Sequence, residues 1–521
     1  MYHDITLYVT ENSAIAPIGG NMKKVVLMLL LAAMCLNAVG CGAGSNVEDT
    51  NEEKYIGEEW SNYVFYPASI EGFIGDTMPF YDDGKFNVFY LADQRNGKQG
   101  YHPWALIKTE DFASFDDKGV VINYGDTVES QDIALGTGSV IKDKDGIYHA
   151  FYTGHNDTYS PKEAVMHAVS SDMENWDKIP EDTFTSAGNY SKDDFRDPYV
   201  MYSEEDKCYL MFVTTRTDKG GVIVKYSSND LKTWKDEGVF FENDMGNDSN
   251  MECPTVLKYK DKWYLTFSDQ WPNRQVHYRI SDSLNGPFEK PANDVFDCNG
   301  FYAGRLETDG ENLYVVGWCG TKKNHQDGDE YDWGGNMVTH LLKQNADGTL
   351  NPVIPTAIES TMKNECTLSP VKMTDTVKEK NGSYTFSGND YETVGFKNIM
   401  GSYLFETTVS DYDENGMFGI CFNTNDESVG NLNIMFNAAT NRIEFYNNSD
   451  IVQTTAQSSL DYDLSKADKL NIKAVISDGV VVMYVNDQVA FTTRMYLSQG
   501  SQWGLFSIKS PVTFTDTKLY K

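Results

Sequence analysis

Three carboxylates open three similar stretches of the chain: Asp76 in "GDTMPFYDDGKFNVFYLAD", Asp197 in "RDPYVMYSEEDKCYLMFVTT" and Glu252 in "ECPTVLKYKDKWYLTFSD". Two carboxyl groups flanking one bond is what glycoside hydrolysis requires, one to give a proton and one to meet the electron-poor carbon. Three carboxylates and an arginine, Arg196, gathered in one pocket are costly, because like charges resist sharing a site. Pockets that tolerate the cost are commonly catalytic. The chemistry follows only if residues far apart in the chain are brought to one place.

The elements that could do so are repeated. Two further stretches, "GTGSVIKDKDGIYHAFYTG" from Gly136 and "GFYAGRLETDGENLYVVGW" from Gly300, share the pattern. Each has a small or polar opening, a short apolar strand, a turn and an aromatic-rich strand. Three of the turns carry Asp-Gly, at Asp83-Gly84, Asp145-Gly146 and Asp309-Gly310, a hairpin signal between two β-type runs. The openings, Asp76, Gly136, Asp197, Glu252 and Phe301, fall about 50 to 60 residues apart, a spacing of repeat architectures. A second signature, Asp-apolar-x-x-aromatic, follows at Asp111, Asp172 and Asp230. Five all-β units of this size predict a five-bladed β-propeller over 59–355, with the opening of each blade facing one axial pocket. An isolated Arg-Asp-Pro is ordinarily a turn; five openings in register give it a different weight.

From Cys366 onward the five-fold pattern is replaced by short alternating strands such as "SYLFETTVS", "RIEFYNN" and "VVVMYVNDQVAF". These predict a β-sandwich over 356–521 without a convergent acid pair, a cap on the propeller, with an accessory carbohydrate-binding face as the alternative. The fold class expected is therefore all-β, a propeller followed by a sandwich.

The chain has 521 residues and a formal net charge of −34. Such acidity argues against nucleic acid and anionic membrane as partners and suits an exported protein acting on a neutral ligand. Met22-Lys23-Lys24 and the apolar "VVLMLLLAAMCL" read as a targeting segment too short to span a bilayer comfortably. With small residues before Cys41, segment 1–41 resembles a bacterial lipoprotein signal with Cys41 as the lipidated residue, and Met22 is the better start. Residues 42–58 form a polar linker. The protein is then expected on the outer face of a bacterial membrane, anchored by lipid or secreted. The remaining cysteines and the 8 His are scattered, without CxxC or HExxH, so no metal or cofactor is expected.

"GDTMPFYDDGKFNVFYL", "FRDPYV", "MECPTV" and "GFYAGR", in that order from about Tyr63 to Pro355, resemble glycoside hydrolase family 32, the β-fructosidases. The resemblance implies Asp76 as nucleophile, Glu252 as acid/base and Asp197 as stabiliser of the transition state through the fructosyl hydroxyls, with Arg196 beside it. It implies an oligo- or polysaccharide substrate of sucrose, inulin or levan type. Phe73-Ile74-Gly75 departs from the family, which carries Trp, an apolar residue and Asn before the nucleophile. Trp104 is a candidate sugar-stacking residue, with blade packing the alternative; Tyr302, Trp271 and Trp318 are lesser candidates, and His102 is either a ligand contact or a turn residue. Two other readings stay open: an inverting five-bladed arabinofuranosidase or xylosidase, and a surface sugar-binding lipoprotein without catalysis.

Overall fold

The computed structural model describes residues 64–95, 101–451 and 454–521. The expected targeting segment with Cys41 and the linker 42–58 lie outside the described residues. Among these residues the chain is almost entirely β, with one short α-helix, Thr356–Thr361, and four 3₁₀ turns.

All five predicted hairpins form. Their strands are Phe73–Asp82 with Lys85–Asp93, Ala134–Lys142 with Tyr148–His155, Phe195–Ser203 with Cys208–Thr217, Met251–Tyr259 with Lys262–Asp269, and Tyr302–Thr308 with Leu313–Lys322. Each pair is antiparallel, and each second strand pairs with a third further along the chain. The Asp-Gly turns work through backbone conformation: Asp83 and Gly84 both adopt positive φ, 49° and 78°, the pair of angles a tight hairpin needs.

The recurring Asp-apolar motif is a capped corner. Asp111, Asp172 and Asp230 each accept two backbone N–H groups, two and three residues on. The next residue, Phe112, Met173 or Leu231, takes positive φ and is buried. The corner thus turns an apolar side chain into the core between sheets.

The first strands of the five hairpins form a closed circuit. Phe73–Asp82 packs against Ala134–Lys142 and against Tyr302–Thr308; Phe195–Ser203 and Met251–Tyr259 complete the path between those two. The first and fifth units are joined in one sheet, Ile74 pairing with Gly335. Residues 370–520 form two seven-stranded antiparallel sheets. Between them lies an aromatic-rich core with Phe405, Phe418, Phe445, Met483, Trp503 and Phe514. The arrangement is consistent with a propeller followed by a sandwich.

The two lobes share apolar packing, with Tyr264, Tyr278 and Phe296 against Val482, Tyr484 and Ala490. Asp297 ties the seam: its carboxylate accepts from the backbone N–H groups of Cys298 and Thr492, at 2.6 and 2.7 Å, and lies 3.1 Å from His340 Nε2.

Candidate active site

Every inner strand carries the same irregularity. Between Ile74 and Thr77, Leu135 and Gly138, Arg196 and Tyr199, Glu252 and Thr255, and Tyr302 and Arg305, three residues span what two span on the partner strand. Each is a β-bulge, which bends its strand and re-aims side chains at the end of a sheet. Superimposing the bulges corrects the sequence alignment of the openings. Glu252 is the residue before its bulge, Asp197 the first residue within, and Asp76 the second. Three successive positions of one repeated kink, taken from three strands, supply the three acids.

The bulge also accounts for the prolines. Pro198 and Pro254 occupy its second position, where the interrupted ladder does not need an N–H. Asp197, Cys253 and Ala303 hold its first position at φ of 59°, 54° and 52°, a left-handed conformation that costs a non-glycine residue energy and is found at functional sites.

The three acids line one cavity of about 680 Å³, together with Arg196, Thr137, Glu163, His102 and Trp333. Their partners differ. Asp76 accepts from Thr137 Oγ1 at 2.9 Å and from Trp318 Nε1 at 3.0 Å, both neutral donors. Glu252 faces Arg196 Nη2 at 3.2 Å and the Tyr302 hydroxyl at 2.6 Å. Asp197 accepts from the Cys253 backbone N–H at 2.8 Å, and its own N–H donates to Thr153 Oγ1 at 2.9 Å. Arg196 is shared, its Nη1 also lying 2.9 Å from Asp194 and 3.3 Å from Glu163.

All three acids have raised carboxyl pKa values, first because burial penalises the charged form. For Asp76 the second cause is the charge of Glu252, opposed by its two hydrogen bonds and by Arg305. For Glu252, Arg196 and Tyr302 oppose burial while Asp197 reinforces it. For Asp197, Arg196 and Arg305 oppose it. Such a cluster retains protons at pH values where isolated carboxyls are ionised.

Of the residues predicted from sequence, Asp76, Asp197, Glu252, Arg196 and His102 reach the cavity. Tyr302 stands behind Glu252 rather than in the cavity. Trp104 is corrected: its side chain is fully buried, its Nε1 donates to Gly136 O at 2.9 Å, and it packs on Phe89 and Tyr152. Trp271 is at the surface, bonded to Asp248, and Trp318 holds Asp76. Sequence reasoning missed Glu163, Arg305 and Trp333. Only Arg305, within "GFYAGR", lay in a stretch that had been singled out.

Residues 71–344 match the family described as Glycosyl hydrolases family 32 N-terminal domain, and residues 348–519 match GH32, BT1760-like, C-terminal domain. The chain belongs to glycoside hydrolase family 32. It is accordingly a glycoside hydrolase. The levanbiose-producing levanase of Bacillus subtilis is 24% identical over 472 residues, covering 80% of this chain and 82% of that protein. Sucrose-6-phosphate hydrolase of Streptococcus mutans is 26% identical over 293 residues, 51% of this chain and 59% of the relative. Among solved structures, sucrose-6-phosphate hydrolase from Lactobacillus gasseri aligns with TM-score 0.66 at 18% identity over 88% of this chain and 92% of that one. Exo-inulinase from Aspergillus awamori aligns with TM-score 0.65 at 16% identity over 88% and 97%. At these identities the structural likeness concerns the fold.

Proposed function

We propose that this protein is an exported, retaining β-fructosidase acting on sucrose or on fructans of inulin or levan type. The observation that carries the reading is the unequal dressing of two acids in one cavity. Asp76 is held by two neutral donors, which favour its carboxylate without cancelling the charge a nucleophile needs. Glu252 is desolvated and lies near Asp197, and these raise its carboxyl pKa against the opposing Arg196 and Tyr302, so that it can carry a proton and act as an acid. The closed circuit of five inner strands supports a five-bladed propeller, and relatives named for sucrose-type and fructan substrates support the substrate class.

In the first step an Asp76 oxygen attacks the anomeric carbon of the fructosyl unit. The glycosidic C–O bond breaks, and the Glu252 proton passes to the departing oxygen. A fructosyl ester on Asp76 remains. In the second step Glu252 takes a proton from water, whose oxygen attacks the same carbon and releases Asp76. Two inversions give net retention. Asp197 accepts hydrogen bonds from the sugar hydroxyls. Arg196 fixes Glu252 and balances part of the negative charge.

The test is to incubate the purified chain lacking residues 1–41 with sucrose, inulin and levan and to follow the first-formed product by NMR. Release of fructose first as the β-anomer is expected. An inverted product, or cleavage of arabinosides and xylosides with no fructoside cleaved, would transfer the protein to the inverting reading. The full-length chain expressed with and without Cys41→Ser, then assayed for membrane association in a bacterial host, tests the lipid anchor.

A further inference from the structure

Gly75 sits immediately before Asp76, and its backbone does not require glycine, since its φ lies outside the left-handed range. What excludes a side chain is the indole of Trp333. A Cβ on Gly75 would lie 2.2 Å from Trp333 Cη2 and 2.3 Å from Cζ2. No rotation of the new methyl relieves such an overlap; the ring itself must leave.

Trp333 comes from a distant part of the chain, in "YDWGGN", and its placement is specified from several sides. Its ring stacks on His102, centroids 4.3 Å apart at 26°, and meets Trp318 edge-on at 5.9 Å. Trp318 is the residue that donates to Asp76. The Trp333 carbonyl accepts from Arg95 Nη2 at 2.9 Å. Its backbone N–H donates to Asp332 at 2.9 Å. The ring is partly open and lines the same cavity as Asp76 and Glu252.

We propose that Trp333 is a specificity-determining residue of the sugar site: its indole walls the cavity beside Asp76, packs on the apolar C–H face of the bound sugar ring, and enters only because residue 75 is glycine. This rests on the carbohydrate-cleaving reading of the same cavity. Grip by an aromatic face is spread over many weak contacts and does not depend on any one hydroxyl, unlike a polar side chain at position 75. The pair Gly75 and Trp333 therefore acts as one unit, although 258 residues separate them in the sequence.

The unit is tested by a double-mutant cycle. Trp333→Ala should lower kcat/KM for the best fructoside by about tenfold, with most of the change in KM, and Trp333→Phe by less. Gly75→Ala, which drives the ring out, should approach the Trp333→Ala value. The double variant should be no worse than either single, because both changes remove the same ring; the concentration of the effect in KM is what a merely structural contact would not give. Melting curves confirm that each variant is folded, and Trp333→Phe serves if Trp333→Ala does not fold. Independently, fructose, arabinose and xylose are titrated into the Glu252→Gln protein while tryptophan fluorescence is recorded, with and without Trp333→Phe. If the wild type cleaves fructosides but the singles stay within about twofold, or their effects add, the inference is overturned and the proposed function stands. If no fructoside is cleaved yet a sugar changes the fluorescence through Trp333, the inference stands and the fructosidase reading falls. No cleavage and no sugar response overturn both.

Discussion

Tyr302→Phe isolates the control of the proton on Glu252. The hydroxyl lies 2.6 Å from Glu252 Oε2, and the ring is packed beneath the Arg274 guanidinium at 4.3 Å, so phenylalanine keeps the packing and removes one donor. A hydrogen bond to a charged group contributes about 1.5–3 kcal/mol. At 1.36 kcal/mol for each pKa unit, its loss should raise the Glu252 pKa by about one to two units. The sign follows from the donor: the hydroxyl favours the ionised carboxylate, so removing it favours the acid. Glu252 must carry its proton to assist the leaving group, and activity falls as pH rises through its pKa. The alkaline limb of the kcat/KM profile should therefore move to higher pH by about one to two units, this limb reporting the free enzyme's acid. Rates of fructose release from sucrose or inulin across the pH range, at substrate well below KM, give the profile. A limb that stays in place, or moves to lower pH, refutes the assignment of Glu252 as the acid or of Tyr302 as its tuner.

Glu252→Gln and Asp76→Asn should each reduce kcat by at least about a thousandfold, because the members of a catalytic set act as a unit; initial rates with matched circular dichroism spectra check this. The same variants should melt no lower than the wild type. Both carboxyls have raised pKa values in the fold, so their own contribution to stability is fully present below the ordinary carboxylate range and is lost as pH rises through the folded values; the amides remove that component from melting curves taken against pH. Asp297→Ala strips the acceptor from two buried backbone N–H groups at the seam between the lobes and should cost about 3–5 kcal/mol, read by urea unfolding. Gly138→Ala would place a methyl 1.9 Å from the Phe151 carbonyl oxygen and should cost about 1–3 kcal/mol, seen as a lower melting temperature.

The hairpins were legible because strand alternation and Asp-Gly turns are local signals: Asp83-Gly84 predicted its turn from two residues. The three acids were legible because their openings recur. Their mutual arrangement was not. Register within a strand depends on where a bulge falls, and nothing in "FRDPYV" or "MECPTV" announces that Asp197 and Cys253 take a left-handed conformation, which the surrounding sheet imposes. The offset between Asp76, Asp197 and Glu252 therefore became visible only through pairing with Tyr90, Phe212 and Thr266 and their neighbours. Trp104 was misjudged for a related reason. An indole suits a sugar face and a core equally well, and burial decides between them. Trp333 carried no local signal at all, since its significance lies in contact with a glycine hundreds of residues away.

The shared kink makes the five inner strands interchangeable sockets. Sliding an acid by one socket position displaces it about 3.3 Å along the strand, comparable with the gap between the spacing of about 5–5.5 Å that preserves anomeric configuration and that of about 6.5–9.5 Å that reverses it. The step along the kink that each acid occupies therefore sets the separation on which the stereochemical outcome depends. On such a scaffold that separation is discrete, changing in notches rather than by gradual drift of the backbone.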